Sequence, residues 1–306
     1  MKILVTGGAG FIGSHMVDQC VEDGHSVVAL DNLRSGSADL VNVRAEFIQL
    51  DLQDDRLPKV VAAIRPEAIL HFAAQVEVRV SCLDPVFDAN ENILGTLRLL
   101  EAGLSHGLKH FVFASSGGAI YGEASGPQTE AHPEEPINPY GAAKLAVDKY
   151  LHTYLVQRGL AGCSLRFSNV YGPRQGTTSE AGVVAVFCKR LQKGLAPVIN
   201  GDGLQTRDFV FAPDLAKAVS RVLAQRATGI FNLSTARETS ILELAEILCR
   251  HAQVSPSEVA HAAKIPGEQK RSVLDATKAR IELGWVPTTT LMDGLELTYQ
   301  WFKRND

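Results

Sequence analysis

Residues 2–13 read KILVTGGAGFIG, a short apolar run followed without a gap by a glycine-rich segment. The apolar run has the length and composition of a buried β-strand, and the apolar spacing over 14–23 predicts a helix that stops at Gly24. A second apolar run at 26–30 ends on Asp31. This order of strand, glycine turn, helix, strand and acid is typical of a dinucleotide-binding unit.

The residues of this unit have distinct expected roles. Gly7 allows a sharp turn, Gly10 has no Cβ to keep a pyrophosphate from the backbone, and Gly13 lets helix and strand pack closely. The helix start offers unpaired N–H groups and the positive end of its dipole to the phosphates. Asp31 can accept hydrogen bonds from both ribose hydroxyls and would repel a 2′-phosphate, which predicts NAD rather than NADP. Arg34 tempers that preference, since it lies close enough in sequence to pair with such a phosphate.

The whole-chain composition is that of an ordinary globular protein. Its 306 residues suffice for one large α/β domain and a smaller lobe, and the net charge of −4 gives no electrostatic reason to expect nucleic acid or an anionic membrane as partner. The five widely spaced cysteines predict buried free thiols in a reducing compartment rather than a disulfide framework or a metal site. We expect neither a secretory leader nor a membrane span, and therefore a cytoplasmic location.

Strand and helix patterns alternate through the first half, which predicts an α/β fold with a Rossmann-type doubly wound parallel sheet. Asp51 follows a predicted strand and could either meet an adenine amino group or cap a turn. His71 lies inside an apolar run and is interpreted as a core histidine. Asn138 and Pro139 suit the first positions of a helix that continues to Gly159. Further strands and helices are predicted at 46–50, 57–64, 68–72, 85–106, 110–114 and 163–167.

The character of the chain changes after residue 172. We predict a nucleotide-binding domain at 1–172, to which 208–234 returns, and a smaller, mixed α/β C-terminal substrate lobe at 173–306. A strand at 229–234 could rejoin the main sheet. The other elements predicted here are a loop at 177–182, strands at 197–200 and 208–211, and helices at 183–193, 213–225, 240–252, 277–283 and 291–303.

Tyr140 and Lys144 lie four residues apart on one predicted helix and therefore share a face. A tyrosine hydroxyl has an ordinary pKa of about 10, and a nearby ammonium or an oxidised nicotinamide would lower it. Tyr140 would then be a usable base near neutral pH. The Tyr-x-x-x-Lys pattern is common by itself, but here it follows a dinucleotide turn and a strand that ends in Ser115 and Ser116.

Several further motifs support a resemblance that covers essentially the whole chain. The sequence resembles the extended short-chain dehydrogenase/reductase family and, within it, the NAD-dependent sugar-nucleotide epimerases of UDP-galactose 4-epimerase type. The matching motifs are TGGAGFIG at 6–13, DNL at 31–33, DL at 51–52, FAAQ at 72–75, Asn92 before GT at 95–96, YGAAK at 140–144, NVYGPR at 169–174 and RDFV at 207–210.

The resemblance implies three sets of site residues and no metal. The catalytic residues would be Ser116, Tyr140 and Lys144. NAD would be held by Gly7, Gly10, Phe11, Ile12, Gly13, Asp31, Asn32, Asp51, Leu52, Phe72, Ala73, Ala74, Gln75, Asn92, Ser115, Tyr140, Lys144 and Phe167. The UDP-sugar would be held by Val76, Ser116, Asn169, Val184, Ala185, Arg207, Glu268 and Arg271.

The chain departs from the family pattern in two places. Many relatives carry a third hydroxyl where this chain has Gly117, so the role of polarising the sugar 4-OH would fall to Ser116, with Ser115 as the alternative. An arginine common in the family is replaced by Ile265, and Arg271 is the candidate to supply its charge to the diphosphate. The small Ser272 falls where relatives vary side-chain bulk beside the sugar, which would leave room for an N-acetyl group.

The resemblance implies inversion at C4 of a UDP-sugar through a transient 4-keto intermediate, in a homodimer formed by the helices at 85–106 and 138–158. The sugar would be the UDP-glucose/UDP-galactose pair or the N-acetylhexosamine pair. Alternatives on the same fold are a sugar-nucleotide 4,6-dehydratase, a UDP-glucuronate decarboxylase and a 4-reductase. A dehydratase needs an acid pair where Gly117 and Gly118 stand, and Asp31 disfavours an NADPH-consuming reductase. A non-catalytic NAD-binding module is the alternative outside the enzymes.

Overall fold

The computed structural model describes residues 1–123, 126–176, 182–264 and 269–305. Seven strands form a sheet that is parallel throughout: β1 (Lys2–Thr6), β2 (Ser26–Asp31), β3 (Glu46–Gln49), β4 (Ala68–His71), β5 (His110–Ser116), β6 (Ala161–Phe167) and β10 (Gly229–Leu233). Their order is β10-β6-β5-β4-β1-β2-β3. The order reverses between β1 and β4, and a ligand crevice is expected at the carboxyl ends of strands at such a point.

Helices cover both faces of this sheet. Helices α1 (Phe11–Glu22) and α9 (Ala212–Gln225) share an apolar core with one face. Helices α2 (Leu57–Ile64), α5 (Gly95–Leu104) and α7 (Pro139–Arg158) share a core with the other face. Successive residues of β1 point to opposite faces, so Ile3 and Val5 join the first core and Leu4 joins the second. The doubly wound α/β fold predicted from the sequence is therefore confirmed.

The helix predicted at 85–106 is interrupted by a wider turn. It consists of α4 (Pro85–Ala89), a π-helical turn (Asn90–Leu94) and α5. The turn contains Asn92, whose carbonyl accepts a hydrogen bond from Thr96 Oγ1 at 2.7 Å. A further short helix that the sequence did not predict, α3 (Val78–Leu83), precedes α4. Such π-turns occur frequently at functional sites because they redirect side chains on one helix face.

The helix that carries Tyr140 and Lys144 has the boundaries that the sequence predicts. Asn138 Oδ1 accepts a hydrogen bond from the backbone N–H of Gly141 at 2.8 Å, and Gly159 ends the helix with a φ of +65°. A short helix, α6 (Gly117–Ile120), follows β5 and packs against α7. The helix cap and the end of β5 thus place two candidate catalytic segments side by side.

The second lobe contains two small sheets. Strands β7 (Asn169–Tyr171), β9 (Thr206–Phe211), β11 (Glu238–Ser240) and β13 (Arg271–Ser272) form one, and β8 (Val198–Asn200) pairs with β12 (Ala260–Ala262). Helices α8 (Val183–Gln192), α10 (Ile241–Ala252) and α11 (Leu291–Arg304) share an apolar core with the larger of these sheets. A π-helical segment (Ala279–Leu283) precedes α11.

The segment 208–234, which the sequence assigns to the first lobe, is divided in the structure. Strand β10 pairs in parallel with β6 at the edge of the main sheet, and α9 packs against α1. Strand β9 instead lies at the centre of the second lobe's sheet, between β11 and β13. Of the loop predicted at 177–182, only Gly182 lies within the described residues.

Three further findings concern ligands and membranes. In the described ranges no helix has the length and apolarity needed to cross a bilayer. Among the same residues, no cluster of three or more His, Cys, Asp or Glu side chains could hold a metal ion. The five cysteines are free thiols, four of them buried and one, Cys82, exposed.

Candidate active site

The glycine turn after β1 packs against the end of β4. A Cβ on Gly7, whose φ is +70°, would lie 2.5 Å from the backbone nitrogen of Ala73. A Cβ on Gly13 would lie 2.0 Å from the carbonyl oxygen of Gly7. At Gly10 the nearest atom would be that same oxygen, at 3.2 Å. The fold itself therefore requires Gly7 and Gly13, whereas Gly10 leaves space above the start of α1, where a phosphate would approach.

Asp31 lies at the end of β2 with its carboxylate turned toward the glycine turn. Its Oδ2 accepts a hydrogen bond from Ala9 N at 3.1 Å, and its Oδ1 accepts one from Leu33 N at 2.8 Å. The residue is 7% exposed. Each carboxylate oxygen keeps acceptor capacity beyond these bonds, which is what two ribose hydroxyls would need.

A cleft of about 410 Å³ opens beside Asp31, lined by Asn32, Arg34, Gln49, Leu50, Asp51 and Arg56. Asp51 Oδ1 accepts a hydrogen bond from Gln53 N at 2.8 Å, so it does cap a turn. Its Oδ2 accepts one from Asn32 Nδ2 at 2.7 Å at the edge of the cleft. The two roles that the sequence leaves open for Asp51 are thus compatible.

Arg34 is engaged by carboxylates. Its Nη1 donates to Glu91 Oε2 at 3.0 Å, its Nη2 lies 3.5 Å from Asp51 Oδ2, and its guanidinium lies over the ring of Phe87 at 5.4 Å. A 2′-phosphate would have to compete with these two acids for Arg34, which strengthens the preference for NAD that Asp31 indicates.

The other predicted cofactor residues are distributed around the same crevice. Phe11 and Ile12 open α1, and Leu52 is buried in the core below the cleft. Ala73 and Ala74 are half-buried just beyond β4. Phe72 stacks on Phe167 with ring centroids 6.3 Å apart, which joins the ends of β4 and β6.

Gln75 and Asn92 are bound to each other. Asn92 Oδ1 accepts from Gln75 N at 2.9 Å, and Asn92 Nδ2 donates to Gln75 O at 2.9 Å. The side chain of Gln75 bonds both backbone groups of Glu77, and both amides donate to Asp88 Oδ1, at 2.8 and 2.9 Å. The amide donors of both residues are therefore used inside the protein, and what they fix is the loop after β4.

The predicted catalytic residues come together between β5 and α7. Ser116, at the end of β5, lies close enough to Tyr140 for its hydroxyl to lower the pKa of the phenol. Lys144 is 4% exposed, and its Nζ donates to Ala114 O at 2.9 Å. The same Nζ lies 4.6 Å from the ring centroid of Phe113 and 5.7 Å from that of Tyr140. The ammonium is thus held under the tyrosine ring.

The ionisation of these groups differs from the simple expectation. Burial raises the pKa of Tyr140 to about 12, the neighbouring Ser116 hydroxyl opposes that rise, and the charge of Asp88 adds to it. Burial lowers the pKa of Lys144 to about 8, while Asp148 and Asp88 oppose that fall. The sequence predicts a lowered pKa for Tyr140. In the protein alone it is raised, so a further positive charge is needed before Tyr140 can serve as a base.

Ser115 and Ser116 point to opposite faces of β5, as successive strand residues must. Ser115 is 3% exposed and lies on the side of Asp148. Asp148 in turn is bound by Ser164 and by Arg166, whose Nε donates at 2.9 Å and Nη2 lies at 2.8 Å. Between the two candidate hydroxyls, the geometry places Ser116, not Ser115, beside Tyr140.

His71 is a core histidine, as predicted. It is 1% exposed, its Nδ1 lies 2.6 Å from Thr6 Oγ1, and its Nε2 lies 2.8 Å from Thr96 Oγ1. Burial lowers its pKa to about 3, and the charge of Lys144 adds to the fall. The neutral imidazole ties β1, β4 and α5 together and does not act in proton transfer at neutral pH.

The two glycines after Ser116 have different surroundings. A Cβ on Gly117 would lie 2.4 Å from Leu274 Cδ1, so no side chain fits there unless Leu274 moves. A Cβ on Gly118 would lie 3.7 Å from Ser272 Oγ, an ordinary contact distance. A Cβ at position 117 is thus blocked by Leu274, whereas a Cβ at position 118 would fit in ordinary contact with Ser272.

The other predicted substrate residues differ in their exposure and lie on different elements. Asn169 is exposed on β7, while Val184 and Ala185 are 1% and 0% exposed in the core of that lobe. Val76 is 59% exposed on the loop after β4. Glu268 and Ile265 lie outside the described residues.

The two candidate diphosphate arginines lie on adjacent strands. Ser272 pairs with Arg207, and Arg271 pairs with Thr206, in the parallel register of β13 and β9. Arg207 Nη1 donates to Thr206 O at 2.7 Å. Arg271 makes a two-point ion pair with Glu238, in which Nε donates to Oε2 at 2.8 Å and Nη2 to Oε1. Both guanidiniums are thus oriented by local partners.

Two residues around the catalytic pair have no counterpart in the sequence predictions. Ser81 Oγ accepts a hydrogen bond from the backbone N–H of Tyr140 at 3.2 Å and fixes the first turn of α7. Asp88, 1% exposed, binds Gln75 and Asn92. In sequence Asp88 resembles a solvated helix position, and only the polar spacing Asp88-x-x-x-Asn92 on one helix face could have indicated it.

Comparison with known proteins gives a consistent family. The sequence profile of the NAD dependent epimerase/dehydratase family matches residues 3–234. The UDP-glucose 4-epimerase of Mycolicibacterium smegmatis is 41% identical over 310 residues, which cover 99% of each chain. The crystal structure of the Thermotoga maritima UDP-glucose 4-epimerase with UDP-glucose superposes with a TM-score of 0.96 at 40% identity, covering 99% of each chain. The UDP-glucose 4-epimerase of Thermus thermophilus in complex with NAD gives 0.94 at 40% identity, covering all of both chains.

Proposed function

Because the chain belongs to the NAD dependent epimerase/dehydratase family, we propose that it is a UDP-glucose 4-epimerase. It inverts C4 of UDP-glucose and UDP-galactose with no net oxidation. The observation that carries the proposal is the set of Ser116, Tyr140 and Lys144 at the end of β5 and the start of α7, with Leu274 closing the position that a dehydratase would use for an acid. Full-length similarity to two UDP-glucose 4-epimerases supports it.

The residues of the first lobe fit NAD. Gly10 leaves open backbone at the start of α1, Asp31 has acceptor capacity for ribose hydroxyls, and the cleft beside Asp51 has room for an adenine. Bound NAD would supply a hydride acceptor and donor for the sugar C4, together with the positive charge that Tyr140 needs in order to act as a base. We assign residues 1–172 to cofactor binding and 173–306 to the sugar nucleotide.

Three side chains of this protein serve the transfer of the C4 hydroxyl proton. Tyr140 takes the proton of the C4 hydroxyl, and Ser116 shares the hydrogen bond so that the hydroxyl stays aligned with the phenol oxygen. The Lys144 ammonium stabilises the phenolate through its place under the ring. After the 4-keto sugar has turned its other face, Tyr140 returns the proton.

The grip on the substrate falls to the second lobe, because the sugar must turn while the nucleotide stays fixed. Arg207 and Arg271 supply positive charge for the diphosphate, and Asn169 supplies a neutral donor. The segment of Val184 and Ala185 is proposed to lie against the uridine, Glu268 at its ribose and Val76 at the sugar.

A homodimer in the cytoplasm completes the proposal. Helices α3, α4 and α7 and the π-helical turn before α5 carry exposed apolar side chains, namely Leu83, Val86, Leu94, Tyr150 and Val156. Burial of such a surface against a second copy would remove it from water. The free thiols of the chain suit a reducing compartment.

The N-acetylhexosamine pair is a second candidate substrate, favoured by one observation. Ser272 is small, and its Oγ would lie 3.7 Å from a Cβ on Gly118. A serine at this position takes up less volume than a bulky side chain would, which is the property that an N-acetyl substrate requires. In Ser272→Tyr, activity on UDP-N-acetylglucosamine should fall at least tenfold more than activity on UDP-glucose, and equal losses would remove this candidate.

The test incubates purified protein with UDP-glucose or UDP-N-acetylglucosamine without added cofactor and follows the C4 epimer by NMR. Epimer formation without consumption of NADPH is the expected result. Loss of water would indicate a dehydratase, loss of carbon dioxide from UDP-glucuronate a decarboxylase, and a stoichiometric need for NADPH a reductase. Absence of any turnover, with NAD bound, would indicate a binding module.

A further inference from the structure

Asp88 is a buried carboxylate beside the catalytic helix. It lies on α4, which packs against α7, and it is 1% exposed. Its Oδ1 accepts hydrogen bonds from Gln75 Nε2 at 2.8 Å and Asn92 Nδ2 at 2.9 Å. Burial raises its pKa, and the bonds from Gln75 and Asn92 and the charge of Lys144 oppose that rise. The hydrogen-bonding partners are neutral amides, so they solvate the charge without cancelling it.

The charged and titratable groups that face Lys144 come from three elements. Asp148 follows it on α7 and Tyr140 precedes it there, His71 lies on β4, and Asp88 lies on α4, which packs against α7. His71 is neutral at physiological pH because burial lowers its pKa to about 3. The charge of Asp88 also raises the pKa of Tyr140.

The two acids differ in how their own charge is compensated. Asp148 is bound by the guanidinium of Arg166, with Nη2 at 2.8 Å, so its charge is neutralised within the sheet. Asp88 accepts from two amides that carry no charge. Lys144 Nζ donates to the neutral carbonyl of Ala114. The ammonium and the Asp88 carboxylate are thus two buried charges of opposite sign, each solvated by neutral groups, on elements that pack together.

We propose that Asp88 is a positioning residue of the catalytic pair: its carboxylate is the counter-charge of the Lys144 ammonium, and the same carboxylate clamps the loop after β4 through Gln75 and Asn92. The inference rests on the proposed function for its kinetic test only. The pairing of the Asp88 and Lys144 charges is a property of the folded protein and does not depend on the substrate.

Asp88→Asn separates the charge from the clamp. Asparagine keeps an oxygen that accepts from Gln75 and Asn92, but it carries no charge. Removal of the negative charge lowers the pKa of both Lys144 and Tyr140. In the pH profile of kcat/KM, both limbs should therefore move to lower pH, by about one unit. The control is Asp84→Asn, an equal change of charge at the exposed N-cap of the same helix, which should leave the profile in place.

A second measurement needs no substrate. In protein labelled with 13C-lysine, the Lys144 side-chain resonance can be assigned by its absence in Lys144→Met. Its titration midpoint should fall by about one unit in Asp88→Asn and stay unchanged in Asp84→Asn. An unmoved midpoint, together with superimposable pH profiles, would overturn the proposal even if the enzyme epimerised UDP-glucose.

A double-mutant cycle of unfolding stability, built from Asp88→Asn and Lys144→Met, keeps the proposal testable if Asp88→Asn alone folds poorly. Lys144→Met leaves Asp88 as an unpaired buried charge, so adding Asp88→Asn in that background should raise the midpoint of urea unfolding. In the wild-type background the same change should lower it. Additive effects of the two substitutions would mean that Asp88 acts only as a clamp, and would refute the counter-charge. A failure of the proposed function would instead appear as loss of turnover with the cycle intact.

Discussion

The catalytic pair and the diphosphate arginines are held in opposite ways. Tyr140 and Lys144 lie near the start of a capped 20-residue helix. The Tyr140 backbone N–H donates to the Ser81 hydroxyl on α3, and Lys144 Nζ donates to the Ala114 carbonyl on β5. Arg207 and Arg271 lie on strands of six and two residues, and Arg271 is oriented by the side chain of Glu238. The Arg271 side chain is 38% exposed, whereas Lys144 is 4% exposed.

This difference matches the two tasks that the proposed reaction imposes. Proton transfer requires the phenol oxygen within hydrogen-bond reach of the sugar, so its supports are buried and rigid. Binding of a diphosphate tolerates some movement, since long-range charge attraction does not depend on a single geometry. We therefore expect changes in the first set to act on kcat and on folding, and changes in the second set to act on KM by smaller factors.

The largest effect is expected for Tyr140→Phe. Without the phenol oxygen no group accepts the C4 proton, so kcat should fall by about 10³-fold or more. Circular dichroism and the NAD content of the purified protein should remain as in the wild type. Tyr150→Phe, which removes a hydroxyl from an exposed position of the same helix, is the control and should retain activity. Retained epimerisation in Tyr140→Phe would contradict the assignment.

The glycine turn offers a test that separates folding from binding. Gly13→Ala places a Cβ 2.0 Å from the Gly7 carbonyl oxygen, and we expect a loss of about 3 kcal/mol or more in the free energy of unfolding. Gly10→Ala places one 3.2 Å from the same oxygen, a tight contact that a shift of a few tenths of an ångström would relieve, so the loss of stability should be much smaller than in Gly13→Ala while NAD binding is largely lost. Urea unfolding and absorbance of released cofactor measure the two effects. NAD bound normally by a stable Gly10→Ala protein would show that no phosphate approaches there.

The pH dependence of the rate tests whether catalysis requires the buried Lys144 ammonium. Burial lowers the pKa of Lys144 to about 8, so the ammonium is lost as the pH rises through that value. The rate should then fall about tenfold per pH unit, with the limb at or below pH 8 in the holoenzyme because bound NAD adds positive charge. Lys144→Arg keeps its charge at all these pH values and should lack this limb at a lower overall rate. The same limb in that variant would assign it to another group.

The elements that hold the catalytic pair were predicted more fully from the sequence than those that hold the diphosphate arginines, for a physical reason. Helix α7 is specified locally, by Asn138 and Pro139 at its start and Gly159 at its end, and its boundaries were correct. Strands β11 and β13 have three and two residues, too short for a period of two to be visible, and they form only by pairing with β9.

Most of the contacts that the sequence did not show join residues that are distant along the chain. The pairing of Arg271 with Glu238 spans 33 residues, and the bond of Gln75 to Asn92 spans 17. The π-helical turn at Asn90–Leu94, which contains the buried Asn92, leaves no signal in the composition of the sequence. The raised pKa of Tyr140 follows from burial, which motif spacing does not report.

The smallest changes in kinetics are expected for substitutions of Glu238 and Arg271, and the two substitutions should change KM in opposite directions. If Arg271 attracts the substrate diphosphate and Glu238 partly neutralises it, Arg271→Gln should raise KM for UDP-glucose about tenfold, whereas Glu238→Gln should lower KM about threefold. Glutamine at 238 can still accept from Thr206 Oγ1, as Glu238 does at 2.8 Å, so the strand pairing should survive. The kcat should change less than twofold in both variants.

Salt provides the matching control for this last pair, because it screens exposed charges far more than buried ones. Raising the ionic strength should weaken the effect of Glu238→Gln and leave that of Tyr140→Phe unchanged. If KM rose in Glu238→Gln as well as in Arg271→Gln, Glu238 would serve mainly to orient Arg271. The second lobe would then be preorganised like the catalytic pair, and the contrast between the two regions would disappear.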